Sequence, residues 1–333
     1  GENKRLTSFL DYLLYIIMFP QLIAGPIVRY KDVHLQIKNF SSNNFDQKLQ
    51  GLYRFIIGLS KKVFIANTFA LIVSQINALG LENTSSAEAW LGALAYTFQI
   101  YFDFAGYSDM AIGLGLMIGF KFPENFNFPY LSKSISEFWK RWHITLGSWM
   151  RDYLYIPLGG NKVSTKRIYF NLVFVFFISG FWHGANWNFI VWGLFHGLFL
   201  VLERLFLSAA LKKMPVIFQR FYTFLIVIIG WVFFSMDLET AFVFLKKMFA
   251  FSSLNLELSI SVKSWSLMLF GILFSFIGFN KKIEFFLNEL PFRFANLNTS
   301  QTLVIFPVFL FLLSMATIWI MNSGFNPFIY YRF

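Results

Sequence analysis

Long apolar runs recur along the whole chain and set the strongest limit on how it can fold. The clearest of them cover residues 168–182, 187–202, 221–236, 266–279 and 303–320. Each run is close to the roughly 17–25 residues that a helix needs to cross a bilayer. The short segments of alternating polarity that build a membrane β-barrel are not seen in the sequence. The sequence therefore predicts an all-α, polytopic membrane protein in contact with membrane lipid.

The composition agrees with this fold class. Of the 333 residues, 57% are hydrophobic and only 14% are charged, whereas soluble domains carry about 25% charged residues. The formal net charge is +11, but the Lys and Arg residues lie between the apolar runs, as expected for cytoplasmic loops. This pattern argues against a nucleic-acid partner, which would require one continuous basic face. Cysteine is absent, which excludes disulfides and thiolate chemistry.

The basic residues also predict which loops face the cytoplasm. Most of them lie in loops 121–167, 203–220 and 280–300, and the positive-inside rule places these loops on the cytoplasmic side. Alternation of the spans then puts 81–88, 183–187 and 237–263 on the opposite side. Loop 237–263 is the exception to the charge rule, because it carries three Lys residues beside its acidic ones.

Three segments predict interrupted or divided helices. Two prolines in 8–28 predict a kinked or re-entrant segment, since irregular backbone at membrane depth needs shelter. Lys61 and Lys62 are expected to divide 51–80 into an interfacial part and a span. Segment 89–120 is long enough for a span and a second, shorter helix.

Glycines are concentrated near the end of that last segment, in "IGLGLMIGF". Gly113, Gly115 and Gly119 would allow close approach of a neighbouring helix, and Gly115 and Gly119 form a GxxxG pair. Plain packing is the interpretation that we favour for all three.

Residues 121–167 form the most charged stretch between two apolar runs. Ser134 and Glu137 have the spacing of a capping box, which predicts the start of a helix. This helix would carry "EFWKRWHITLGSWM" and with it His143. Its interleaved aromatic and basic residues suit a helix at the membrane interface or tucked against the bundle. A second amphipathic helix is expected over 238–250.

The common signatures of soluble enzymes are missing. The sequence contains no GxxxxGK[ST] loop, no HExxH helix and no GxSxG elbow. None of the four histidines has an Asp four or five residues downstream. The sequence thus argues against an ATPase, a zinc protease and a serine hydrolase, and it predicts no metal site.

An ionisable residue at membrane depth is a functional candidate because its burial is costly. His183 is the strongest one, in "GFWHGANWNF", where Trp182, Asn186 and Trp187 accompany it. An imidazole suits general-base work on a hydroxyl, and Asn186 could orient it or donate to a developing oxyanion. A histidine satisfied by a carbonyl at a helix end is the alternative, and the residues alone leave both open.

His143 is a second candidate, on the opposite side of the membrane in this topology. It shares its predicted helix with Lys140, Arg141 and Trp142, and Arg151 follows. Such a helix could hold an anionic, adenine-bearing donor by charge and stacking. It could equally be an interface anchor.

The other ionisable residues in apolar surroundings favour structural roles. For Asp103 and Asp109, pairing with Tyr, Ser or Arg is expected in preference to a direct chemical role. His196 lacks a polar cluster and is expected in the core, and His34 is expected to be solvated.

Several long motifs identify a family resemblance. "FPQLIAGPIVRY", "YFDFAGYSDMAIGLG", "FPENFNFPY", "EFWKRWHITLGSWMRDYLYIPLGGN" and "GFWHGANWNFIVWGLFHG" closely resemble the membrane-bound O-acyltransferase (MBOAT) family. They are most similar to its bacterial branch of alginate O-acetyltransferase membrane subunits. The terminal "NPFIYYRF" fits that branch, so the resemblance runs from about residue 8 to the end.

The resemblance implies one membrane domain over residues 1–333, a ring of tilted helices around a tunnel, in the bacterial inner membrane. His183 matches the catalytic histidine of the family, and His143 matches a second position that is His, or Asn in many eukaryotic members. Relatives begin with further membrane segments, so this chain is expected to lack some of them.

The implied reaction moves an acetyl group outward through the membrane. The donor would be cytoplasmic acetyl-CoA, with no bound cofactor. The acceptor would be a periplasmic or extracellular acetyltransferase partner that modifies a polysaccharide such as alginate. Two alternatives stay open: a D-alanyl transferase of teichoic acids that uses an acyl carrier protein, and a transporter or scaffold. The latter has less support, because no inverted repeat is visible.

Overall fold

The computed structural model describes residues 8–39, 45–251, 253–279, 282, 299–323 and 327–329. All regular structure in these residues is helical. The helices are α1 (Phe9–Ile17), α2 (Tyr30–Lys38), α3 (Phe45–Ser60), α4 (Asn67–Asn83), α5 (Ser86–Met117), α6 (Ile135–Arg141), α7 (Ile144–Met150), α8 (Thr165–His183), α9 (Trp187–Leu202), α10 (Ser208–Leu211), α11 (Val216–Ser235), α12 (Leu238–Ala250), α13 (Val262–Phe276) and α14 (Thr299–Ser323). The all-α prediction is confirmed.

Five helical segments of the described residues are long and apolar enough to cross a membrane. They are Phe45–Asn83, Trp187–Leu211, Val216–Ser235, Val262–Phe279 and Ile305–Asn322. Helices α5 and α8 form where spans were predicted, but their more polar composition keeps them out of this set. The kink predicted in 8–28 is present, because α1 ends at Ile17 and a short 3₁₀ turn at Phe19–Gln21 contains Pro20.

Contacts group the chain into two compact units, and the single-domain expectation stays a prediction. The first unit comprises Gly1–Ile65, Phe102–Asn125 and Ile277–Arg332. Within it α3 packs against α14, with the rings of Tyr53 and Phe309 4.4 Å apart. Most of the terminal motif 326–333 and of loop 280–300 lies outside the described residues.

Within the first unit, α3 and the second half of α5 approach each other through glycines. A Cβ added to Gly51 would lie 2.5 Å from the carbonyl oxygen of Gly113, and one added to Gly58 would lie 2.5 Å from that of Gly106. Close approach is thus confirmed at Gly113. The prediction that Gly115 and Gly119 act together as a helix-packing pair is wrong, because Gly119 lies beyond the end of α5 and has a φ of +96°.

The helix runs through the two lysines without a break, and the division of 51–80 into an interfacial part and a span stays a prediction. Helices α3 and α4 are joined by a π-helical turn at Lys61–Ala66, and helical geometry is interrupted only later, at Gly80, with a φ of 74° and a ψ of 154°. Lys61 and Lys62 fit inside this helix because each pairs with a carboxylate of α5. Segment 89–120 likewise forms a single 32-residue helix rather than two.

The second unit comprises Ala66–Tyr101 and Phe126–Phe276. Its central feature is the pair α8 and α9, which approach to backbone contact. A Cβ added to Gly193 would lie 2.2 Å from the carbonyl oxygen of Phe176, and one added to Gly180 would lie 2.3 Å from that of Phe189. Helix α11 packs on α9 and, with α6, completes the wall around the histidines.

Two loops that the charge pattern assigns to the same side of the membrane are in contact within this unit. The backbone N–H of Glu257 donates to Glu88 Oε1 at 3.0 Å. The Lys247 ammonium donates to the carbonyl oxygens of Glu82 and Thr84 at 3.1 Å each, where α4 ends. This contact agrees with the predicted topology, and it explains a lysine in 237–263, because a cation is favourable at a helix C-terminus.

Candidate functional site

His183 is the last residue of α8, and a three-residue turn connects it to α9. The turn is stabilised at both helix ends. The Gly184 N–H donates to the carbonyl of Phe181 at 3.2 Å, and Asn186 Oδ1 accepts the N–H of Trp187 at 2.8 Å as the N-cap of α9. The described contact of Asn186 is therefore with the backbone.

Aromatic side chains surround the imidazole of His183. The rings of Trp192 and Phe234 lie 5.1 Å from it and nearly perpendicular, at 90° and 82°. Trp182 lies 4.9 Å away on the exposed side. The histidine is itself half-buried, so it has an apolar inner wall and an outer side that other molecules can reach.

His143 lies in a sharp elbow between α6 and α7. The predicted start of α6 is confirmed, since Ser134 Oγ accepts the Glu137 N–H at 3.0 Å, but the Glu137 carboxylate accepts the N–H of Lys133 at 3.0 Å instead of closing the capping box. The predicted single helix is wrong, because it ends at Arg141 and His143 adopts left-handed φ and ψ values of 45° and 53°. Such a conformation is uncommon for a residue with a side chain and often marks a functional position.

This elbow directs His143 inward, toward the end of α8 that carries His183. The prediction that the two histidines lie on opposite sides of the membrane is therefore wrong. Its side chain is buried, and its ring lies 6.5 Å from that of Trp182, next to His183. Burial lowers the pKa of His143 well below its usual value, and a charge on His183 would lower it further. His143 is therefore a neutral imidazole at physiological pH.

A cavity of about 530 Å³ opens beside His143, within the range of small-molecule sites. Residues of α6, α7, the π-helical turn Arg151–Tyr155, α8 and α9 form its wall. Most of this wall is apolar, as at Leu146, Val175 and Leu200. The cavity can thus hold a largely apolar group against the imidazole of His143.

Two cations and several hydroxyl groups give the cavity its polar character. Lys140 and Arg151 line it together with Ser136, Ser148 and Ser179. The Arg151 side chain is 62% exposed, and its guanidinium bonds Asp152 at 2.8 Å, so it can turn toward a ligand at little cost. Positive charge beside an apolar cavity suits a ligand with an anionic part and an acyl part.

Two of the predicted donor-binding residues do not line this cavity. Arg141 bonds Glu137 Oε1 at 2.9 Å and the carbonyl of Asn127 at 3.1 Å. Trp142 is buried among aromatic rings, with Trp231 4.8 Å away. Their described contacts therefore hold the elbow in place, and the predicted stacking of a donor on Trp142 stays untested.

Asp103 and Asp109 lie in the first unit, where both are paired; the expected Arg partner is present for Asp109, whereas the described side-chain partner of Asp103 is a lysine. Asp109 accepts from Arg54 at 2.8 Å and from Lys61 at 2.6 Å. Asp103 pairs with Lys62 and accepts the backbone N–H of Ile329 at 2.7 Å.

The remaining histidine and tryptophan candidates take contrasting positions. His196, in α9, is buried beside Trp139 of α6 and Trp192 of α9, as expected for a core residue. Trp187 is 69% exposed, at the start of α9.

Sequence reasoning missed four residues that build the site. Trp192 and Phe234 lie against His183, Ser179 lines the cavity, and Glu203 is buried at the start of α6. Only two of them gave a signal: Ser179 lies one helical turn before His183, and Glu203 is a lone acid after an apolar run. Among the residues that the structure describes, no group of three or more His, Asp or Glu side chains could hold a metal ion.

Comparison with known proteins places this architecture in one family. Residues 2–245 match the model of the membrane-bound O-acyltransferase family, MBOAT. The chain is 47% identical over 258 residues to the probable alginate O-acetylase AlgI of Pseudomonas aeruginosa, covering 77% of this chain and 49% of that protein. It is 40% identical over 355 aligned residues to the protein of the same name from Pseudomonas putida, covering 100% of this chain and 71% of that protein.

A relative with a different name is nearly as similar. The peptidoglycan O-acetyltransferase of Helicobacter pylori is 45% identical over 260 residues, covering 75% of this chain and 49% of that protein. The chain thus spans about half the length of two of these three relatives. The family match, the apolar helices and the similarity to these relatives agree: the chain is a multi-pass membrane protein that belongs to the membrane-bound O-acyltransferase family.

Proposed function

We propose that this protein is a membrane O-acetyltransferase that takes an acetyl group from a cytoplasmic donor, acetyl-CoA. It passes the group across the membrane for O-acetylation of a cell-surface or exported polysaccharide. One observation carries the proposal: a cavity with cations at its wall is lined by His143, whose ring lies 6.5 Å from that of Trp182, next to His183. The names of the relatives support acetyl transfer to alginate or peptidoglycan, so the final acceptor is proposed only as a polysaccharide. The immediate acceptor is a periplasmic or extracellular acetyltransferase that modifies this polysaccharide.

In this mechanism Lys140 and Arg151 attract the anionic part of the donor, and the apolar wall receives its acyl end. His183 takes the proton of the acceptor hydroxyl through an imidazole nitrogen. The hydroxyl oxygen then bonds to the thioester carbonyl carbon, the carbon–sulfur bond breaks, and the departing thiolate takes the proton back from the His183 imidazolium. Trp192 and Phe234 exclude water from the inner side of His183, which suits a base that must stay unprotonated.

The test measures transfer of labelled acetyl from acetyl-CoA by the protein in sealed membrane vesicles. Wild type should release CoA and label the acceptor, whereas His183→Ala should lose activity by at least about 100-fold, as expected for a general base. His34→Ala, which changes a histidine of the first unit, is the matched control and should keep full activity. Normal transfer by a folded His183→Ala protein would disprove the assignment.

The same assay separates the alternatives. A D-alanyl transferase would use D-alanyl acyl carrier protein and leave acetyl-CoA intact. A transporter or scaffold would neither transfer label nor release CoA.

A further inference from the structure

Helix α8 presents one continuous face to the cavity and then to His183. Leu172, Phe176 and Ser179 line the cavity, and they are spaced four and three residues apart. His183 follows four residues after Ser179, and residues at such spacings lie on one face of a helix. The last polar group of the cavity wall on α8 is thus one helical turn from His183.

Ser179 is a buried residue whose hydroxyl can hydrogen-bond to a ligand in the cavity. It is buried, with 7% of its surface exposed, and it lines the cavity. Serine and threonine inside helices often donate to the carbonyl four residues earlier, as Thr97 does to Ala93 at 2.7 Å and Ser275 to Gly271 at 2.9 Å. Within the described part of the chain, the Ser179 hydroxyl makes no hydrogen bond.

The position of this hydroxyl limits what it can bind. Its neighbours on the α8 face, Val175 and Phe176, are apolar, so a ligand that extends along them toward His183 meets a single polar group there. His143 lines the same cavity. Ser179 is thus the polar residue of the cavity wall that lies on α8 one helical turn before His183.

We infer that the Ser179 hydroxyl binds the carbonyl oxygen of the acyl thioester, an inference that rests on the proposed acyl transfer. When the acceptor oxygen bonds to the carbonyl carbon, negative charge develops on the carbonyl oxygen, and the hydroxyl stabilises it. As the carbon–sulfur bond breaks, the charge moves to the departing sulfur and the carbonyl re-forms. Ser179 donates throughout and keeps its own proton.

Two unreactive CoA analogues test the hydrogen bond itself. The first is a ketone analogue in which a methylene replaces the thioester sulfur, so the carbonyl oxygen is kept. The second is S-ethyl-CoA, a thioether without that oxygen. Ser179→Ala should weaken binding of the ketone about fivefold to tenfold, the usual loss for one neutral hydrogen bond, and should leave binding of the thioether unchanged.

Ser148→Ala is the matched control, because Ser148 lines the same cavity from α7. It should keep the wild-type ratio of the two affinities. A general disturbance of the cavity by Ser179→Ala would weaken both analogues together, and that result overturns the inference, as does an unchanged ratio.

Turnover separates this inference from the proposed function. Acetyl transfer by Ser179→Ala should be at least about tenfold slower than by wild type, since the hydrogen bond strengthens in the transition state. The loss should be the same for acetyl on CoA and acetyl on an acyl carrier protein, because both present the same carbonyl. If wild type transfers acetyl and Ser179→Ala does so equally fast, the inference fails and the function stands. If wild type transfers from neither donor, the function itself fails.

Discussion

The carboxylate of Glu203 accepts the backbone N–H of Ile135 at 2.6 Å, although 68 residues separate them along the chain. Its second oxygen accepts the N–H of Ser136 at 3.0 Å and the hydroxyl of the same residue at 2.7 Å. Glu203 is buried, so these bonds form away from water. They hold the first turn of α6, the helix whose Ser136 and Lys140 line the cavity.

We expect Glu203→Gln to destabilise this wall. The amide nitrogen of Gln is a donor and would face backbone donors, which costs about 2 kcal/mol of unfolding free energy for a lost charge-assisted bond. Because the wall shifts, KM for the donor should rise by more than kcat falls. Thermal unfolding and steady-state kinetics in detergent measure both effects. Glu239→Gln, at an exposed acid of α12, is the control and should match wild type; a Glu203→Gln protein as stable as this control would contradict the prediction.

The left-handed backbone of His143 predicts which replacements it tolerates. Asn adopts this conformation more readily than Ala, because its short polar side chain bonds locally. His143→Asn should therefore unfold within about 1 kcal/mol of wild type and keep measurable activity, since its amide can still donate a hydrogen bond in the cavity. His143→Ala should be less stable and lose activity by at least about 100-fold. Equal stability and equal loss in the two variants would show that the elbow conformation does not matter.

The low pKa of His143 predicts how stability changes with pH. An unfolded histidine titrates near 6.5, whereas burial keeps the folded His143 neutral to lower pH. Below about pH 6.5 the unfolded state thus binds more protons, and stability falls as pH falls toward the folded pKa. Compared with His143→Asn, which does not titrate, wild type should lose stability between pH 7.5 and 5. Melting temperatures of the two proteins across this range test it, and a constant difference would contradict it.

The sequence was most informative where one helix carries its own signal. Helices α8 and α9 were predictable because each is an apolar run of spanning length, and the start of α6 because its N-cap residue Ser134 is a local signal. The break at His143 was not, since neither Gly nor Pro precedes it. It depends on tertiary packing, which buries Phe138 before the turn and Leu146 after it.

Prediction from local sequence also fails for the two charged residues at the junction of α3 and α4. Lys61 and Lys62 look like an end of a membrane segment when only their neighbours are considered. Their partners Asp109 and Asp103 lie 48 and 41 residues away, so neutralisation depends on the packing of α5.

The pair Lys62 and Asp103 predicts a large effect of a single neutral replacement. Both residues are buried, and Asp103 Oδ2 also accepts the backbone N–H of Ile329. Asp103→Asn would leave the Lys62 charge buried without its counter-charge and should cost about 3–5 kcal/mol. Adding Lys62→Met should recover much of this loss. Urea unfolding of the single and double variants measures the coupling, with Glu82→Gln, at an exposed residue, as control. A double variant whose loss of unfolding free energy equals the sum of the two single losses would contradict the prediction.

Backbone contact between α8 and α9 predicts that the distance between these helices controls the site. A Cβ at Gly193 would lie 2.2 Å from the carbonyl oxygen of Phe176, and a backbone atom cannot turn aside as a flexible side chain can. Gly193→Ala must therefore separate the helices, which moves Trp192 relative to His183. The cost should be about 1–3 kcal/mol, as for overpacking, with acetyl transfer reduced by at least tenfold. Gly92→Ala is the matched control, because its added carbon would meet side-chain atoms at 3.3 Å. It should keep both stability and activity near wild type, and a Gly193→Ala protein that did the same would show that the helices can separate without moving the site.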